Sequence, residues 1–117
     1  MFKNVGYVGF DNQPELKAKA EQLTPVLADE IHRWREDVQV RWAPHPDPAT
    51  GVLDLTLSLT LPNGVSGTLG GTFSPKDLAE ERLQRSRCRW VWMDLLGVLL
   101  EQQDQRIKEY LLQPAEA

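Results

Sequence analysis

The sequence predicts an α+β domain of two layers: a three-stranded antiparallel meander sheet with two long helices packed on one face, in the order (β)αβββα, the N-terminal segment being an optional further strand. Three observations carry this. Apolar residues recur at steps of three and four from Leu16 to Trp34, they alternate strictly from Leu53 to Leu61, and a helix-opening signal at Ser74 precedes a second long helical stripe.

The opening "NVGYVGF" suits a short strand weakened by Gly6 and Gly9. "DNQP" then stops it, with Asp11 or Asn12 as the expected helix cap and Pro14 in the first turn. Leu16, Ala20, Leu23, Leu27, Ile31 and Trp34 form one helical stripe, and its phase is kept across Pro25. One kinked helix, or two abutting collinear ones, is therefore expected from about 13 to 36. "VQVRWA" is a strand with Val38, Val40 and Trp42 on one face, and "PHPDPATG" reads as a stiff loop.

In "LDLTLSLTL" the leucines at 53, 55, 57, 59 and 61 face one way, against Asp54, Thr56, Ser58 and Thr60. A three-residue loop, Pro62-Asn63-Gly64, pairs Leu61 with Val65, Thr60 with Ser66, Leu57 with Leu69 and Leu53 with Phe73, so every rung agrees. A slip of one residue would turn the leucines to water. Gly67 and Gly71 then fall on the buried face, where they leave room for large side chains of a covering helix, the tryptophans first among them.

"SPKD" opens the last helix: Ser74 caps, Pro75 takes the first position and Asp77 completes a variant capping box. The helix is expected to continue to about Leu112. Its inward stripe comprises Cys88, Trp92, Leu95, Leu96, Leu99 and Tyr110. Around residues 91–100 the apolar arc spans more than half the circumference, wider than one contact surface needs. The first helix supplies one further surface and a second subunit would supply another. Residues 1–113 make the single domain, and 114–117 a flexible tail.

Composition narrows the function. A formal net charge of −4 argues against a generic nucleic-acid or anionic-membrane binder. The single cysteine, Cys88, forms no internal disulfide. "MFKNVGYVGF" is a poor signal peptide, and "WVWMDLLGVLL", interrupted by Asp94, is too short to span a bilayer. A cytoplasmic location without membrane contact is expected. His32, His45 and Cys88 make no metal-ligand or nucleophile spacing, Ser66 lies outside a GxSxG motif, and "GVSGTLGG" matches no phosphate loop. No enzyme, metal or cofactor is expected. Cys88 reads as a buried small hydrophobe, and Asp94, grouped with Gly97, Glu101 and Lys108, as solvated.

Two features are candidates for binding. Arg82, Arg85 and Arg89 share one helix face in line with Leu78 and Leu96, which suits either an anion or partner-carboxylate site or arginine stems lying on apolar surface with Glu81 pairing to Arg85. The other is the nearly uncharged sheet face: Arg41, Thr56, Ser58, Thr60, Ser66, Thr68 and Thr72. It is either simply wet, threonine being a good strand former, or covered by another chain.

The order helix–strand–strand–strand–helix resembles that of the double-stranded-RNA-binding domain. That domain grips phosphates with a lysine cluster at the start of its second helix. Here Lys76 stands alone among Asp77, Glu80 and Glu81, so nucleic acid is not an expected partner. In size and charge the chain is similar to small acidic dimeric secretion chaperones and toxin-neutralising partners. The function expected is a non-enzymatic protein–protein interaction module, homodimeric or a subunit or adaptor of a larger assembly. The alternative is an anion or nucleic-acid binder using Arg82, Arg85 and Arg89.

Overall fold

The computed structural model describes residues 2–31, 36–46 and 53–112. Among them the elements are β1 (Asn4–Tyr7), α1 (Pro14–Glu30), β2 (Gln39–Pro46), β3 (Leu53–Thr60), β4 (Ser66–Gly67), β5 (Thr72–Phe73), α2 (Pro75–Ala79) and α3 (Glu81–Leu112). The mixed α+β class and the order of elements are as the sequence predicts. Trp34, His32, most of the proline loop and the tail lie outside the described residues.

The N-terminal segment does add a strand. β1 pairs with β2 in parallel, Val5 opposite Val40 and Tyr7 opposite Trp42, with α1 as the crossover between them. β2 and β3 pair antiparallel over their full length, and β4 and β5 both pair with β3. The sheet order is thus β1-β2-β3, then the two short pieces. β2 is longer than expected because it takes in Pro44 and Pro46. β1 pairs only as far as Trp42, so both prolines sit where β2 is the edge of the sheet and a missing N–H breaks no ladder on that side.

α1 is a single helix through Pro25, but it ends at Glu30, where the expected span runs to 36. Ile31 is already extended (φ −100°, ψ 104°). The helix begins without a side-chain cap, Gln13 rather than Asp11 or Asn12 holding the cap position. Ala20, Leu23, Leu27 and Ile31 are buried as the stripe predicts. The Tyr7 hydroxyl lies 3.1 Å from Thr24 Oγ1, which itself donates to the Ala20 carbonyl at 3.0 Å, so the helix is tied to β1.

The hairpin turn follows the predicted register. Gly64 has φ +86°, Leu61 N–H donates to the Val65 carbonyl (2.9 Å), and Thr60 stands opposite Ser66. Beyond Gly67 the register changes by two: Phe73 pairs with Leu55, where Leu53 was expected. The even slip keeps Phe73 on the inward side of the sheet. Its cost is a loop at 68–71 that carries Leu69 out of the core, leaving it 65% exposed.

α3 causes that detour. A Cβ on Gly67 would stand 2.7 Å from the Leu95 backbone nitrogen, so the helix backbone itself occupies the space that the glycine leaves. The expectation of tryptophan side chains there is corrected. Gly70, at φ +71°, lies against Trp90 Cβ, and Gly71 turns its carbonyl to Leu57 N–H at 2.7 Å. Asp94 of α3 accepts from Thr68 N–H (2.9 Å) and Leu69 N–H (3.0 Å), clamping the loop. It is therefore a structural acceptor and not a freely solvated carboxylate.

The last helix is two helices. Ser74 and Asp77 form the reciprocal box: Ser74 Oγ accepts from Asp77 N–H (3.3 Å), and Asp77 Oδ2 accepts from Ser74 N–H (2.9 Å). α2 stops at Glu80, which is extended (φ −122°, ψ 120°), before α3 begins. α1 and α3 pack together over one core that includes Val38, Trp42, Leu57, Phe73, Cys88, Val91 and Leu95, with the Trp42 and Phe73 rings 5.9 Å apart. Among the described residues no helix packs on the other face of the sheet.

Candidate functional site

The hydroxyl-rich sheet face, with few charges, forms a shallow trough of about 740 Å³. Arg41, Ser58, Thr60, Ser66 and Thr68 line it, with β1 and Val8 adding a wall that the sequence left open. Thr56 and Thr72 do not line it. Alternation in β2 and β3 places the first set of side chains, because their neighbours Val40, Trp42, Leu57 and Leu59 must point inward. Thr60 Oγ1 and Ser66 Oγ lie 3.4 Å apart, whereas Thr56 Oγ1 is buried with no hydrogen-bond partner among the described residues. Lys3 and Arg41 are the trough's cations, and Lys3 is within 3.5 Å of Glu36.

The arginine row meets a different fate. α1 ends in Asp29 and Glu30 with no basic residue in its last turn, an unfavourable arrangement for the negative end of a helix dipole. α3 supplies the missing cations. Arg85 lies 3.7 Å from Asp29 and 3.8 Å from Glu30, and Arg89 Nε is 3.2 Å from Glu30 Oε2. Arg85 also meets Glu81 at 3.3 Å, the i+4 pair expected from the sequence. Arg87, outside the predicted row, is 3.6 Å from Asp77. Because α2 and α3 are separated at Glu80, Leu78 is not on the same helical line as Arg82, which is exposed. The row is therefore mostly an internal brace between α1 and α3.

Cys88 sits fully buried beneath this brace. Burial, with the Glu30 carboxylate adding and Arg85 opposing, pushes its thiol from 9.0 up to about 12. A thiol so held is protonated at neutral pH and is a core side chain. Among the described residues no group of three or more His, Cys, Asp or Glu could hold a metal ion. No helix among them is long and apolar enough to cross a membrane.

A third surface is the outer side of α3, where the sequence left room for a second subunit. The buried residues Cys88, Val91 and Leu95 define the inward side of α3, and roughly opposite on the wheel stand Trp90, Met93, Leu100 and Ile107. They are 53%, 51%, 65% and 58% exposed. From Leu100 to Glu109 every residue is exposed, so this end of α3 leaves the body and projects. The helix is about 48 Å long at 1.5 Å per residue, against a longest molecular extent of 64 Å. Leu69, held out by the Asp94 clamp on the loop whose Gly70 abuts Trp90, is a further exposed apolar side chain beside Trp90. The sequence showed the excess of apolar arc, with Met93 and Leu100 in it and Ile107 at its margin, but not which part of it the domain leaves uncovered. The spacing of Met93, Leu100 and Ile107 at sevens was the signal available.

No protein-family model matches the sequence, and comparison with curated proteins and with solved structures returns no match either.

Proposed function

We propose that this chain is a non-enzymatic protein–protein interaction module, homodimeric or a subunit of a larger assembly, acting in the cytoplasm as a chaperone-like or partner-neutralising adaptor. One observation carries the reading: α3 is apolar on two opposite sides, and only one of them is covered. Large apolar side chains left in water along a projecting helix lower stability and solubility unless something packs on them. A helix end with no tertiary contact also gains nothing from packing, which is where helical stability mostly comes from. The sheet trough, with its hydroxyls and few charges, offers a second and more polar contact area beside β1.

The alternative, an anion or nucleic-acid site on Arg82, Arg85 and Arg89, has less support, since Arg85 and Arg89 already face the carboxylates of α1. Its partners would have to displace those ion pairs. The test is photo-crosslinking in cells, with a benzophenone side chain at position 100 and, as control, at Gln102. A discrete protein adduct from position 100 but not from 102 is the expected result. No adduct from 100, with the chain folded and abundant, would overturn the reading.

A further inference from the structure

Resting on that reading, we infer that the partner on the outer side of α3 is a second copy of this chain, its helix lying alongside in parallel so that Met93, Leu96, Leu100, Gln103 and Ile107 each meet their own counterparts. The three exposed apolar residues Met93, Leu100 and Ile107 are seven apart, and Leu96 and Gln103 fall between them at alternating steps of three and four. This narrow 3.5-residue repeat is the seam of a two-stranded coil, and a helix packing flat on a sheet or in a groove does not require it. From Leu100 onward it runs along the part of α3 that projects from the body, where every residue to Glu109 is exposed.

The one polar layer fits a self-partner. Gln103 carries both a donor and an acceptor, so two copies facing each other satisfy one another, and a single polar layer fixes register. Flanking positions raise no like-charge conflict: the seam's neighbours on one side are Trp92, Leu99 and Arg106, and on the other Gly97 and Asp104. In a parallel pair the first set faces the second, which sets Leu99 against Asp104. With about 200 Å² for a fully exposed large side chain, the exposed fractions of Trp90, Met93, Leu100 and Ile107 leave roughly 450 Å² per chain, and about 900 Å² across two copies suits a reversible, concentration-dependent dimer. The seam by itself is short, so Trp90 at its flank must take part.

The test uses the full purified chain, its mass followed by light scattering over a hundredfold range of concentration. The wild type should be a dimer at micromolar concentration, and Leu100→Glu with Ile107→Glu should give the 13.3 kDa monomer throughout. Both side chains are exposed, so the variants should keep the circular dichroism of the wild type. Gln103→Cys should form a covalent dimer under mild oxidation, and Glu101→Cys should not. A wild type that is monomeric over the whole range overturns the self-partner; a crosslink from position 100 to some other protein in cells would then leave the broader interaction reading standing. A dimer that survives the double glutamate variant, or a Gln103→Cys chain that fails to link, overturns the seam.

Discussion

Gly67 is the residue on which the fold is most tightly built. The Leu95 nitrogen and Cα would stand 2.7 and 2.9 Å from a Cβ there, and both belong to helix backbone that no rotamer change can move. Gly67→Ala must therefore push α3 off the sheet, and a loss of about 2–3 kcal/mol in urea unfolding is expected, the upper part of the usual overpacking range. Asp94→Ala removes the acceptor of two backbone N–H groups and should cost about 1–2 kcal/mol, with faster hydrogen exchange at Thr68 and Leu69. Cys88 gives a pH signature. Its folded thiol titrates near 12 and its unfolded one near 9.0, so the folded state keeps the proton longer. Stability from this group is complete below pH 9 and is lost as pH rises toward 12, by up to about 1.4 kcal/mol per unit. Subtracting the pH curve of Cys88→Ala from that of the wild type should expose that slope.

At the scale of elements, the sequence was most legible where one local rule decided the outcome. The Pro62-Asn63-Gly64 turn, the Ser74–Asp77 box and the inward leucines of β3 all follow from neighbours within a few residues. Ser74→Ala, which removes one half of the box, should lower thermal stability by about 1 kcal/mol. What was missed needed long-range contacts. The break of the edge strand at 68–71 is set by the backbone of α3 at Leu95 lying on Gly67, a contact between elements far apart in sequence, and "TLGG" alone does not reveal it. The arginine row looked like a site because its partners, Asp29 and Glu30, are on another helix. The apolar excess of α3 was visible, yet its division into a covered and an uncovered side depends on which residues the sheet and α1 reach.

For the whole molecule, the two halves of α3 have different roles. The first half closes the core over the sheet and braces α1 through Arg85 and Arg89; the second carries the apolar seam into solvent. A change in the second half should therefore leave monomer stability within about 0.5 kcal/mol while altering association, the reverse of a change at Gly67. The most direct measurement is amide hydrogen exchange across residues 100–109 at two protein concentrations, one micromolar or above and one far below. Protection that appears at the higher concentration and vanishes in Leu100→Glu is the predicted result. Equal, rapid exchange of these amides at every concentration would mean that nothing of its own kind covers this helix, and would contradict the self-paired seam.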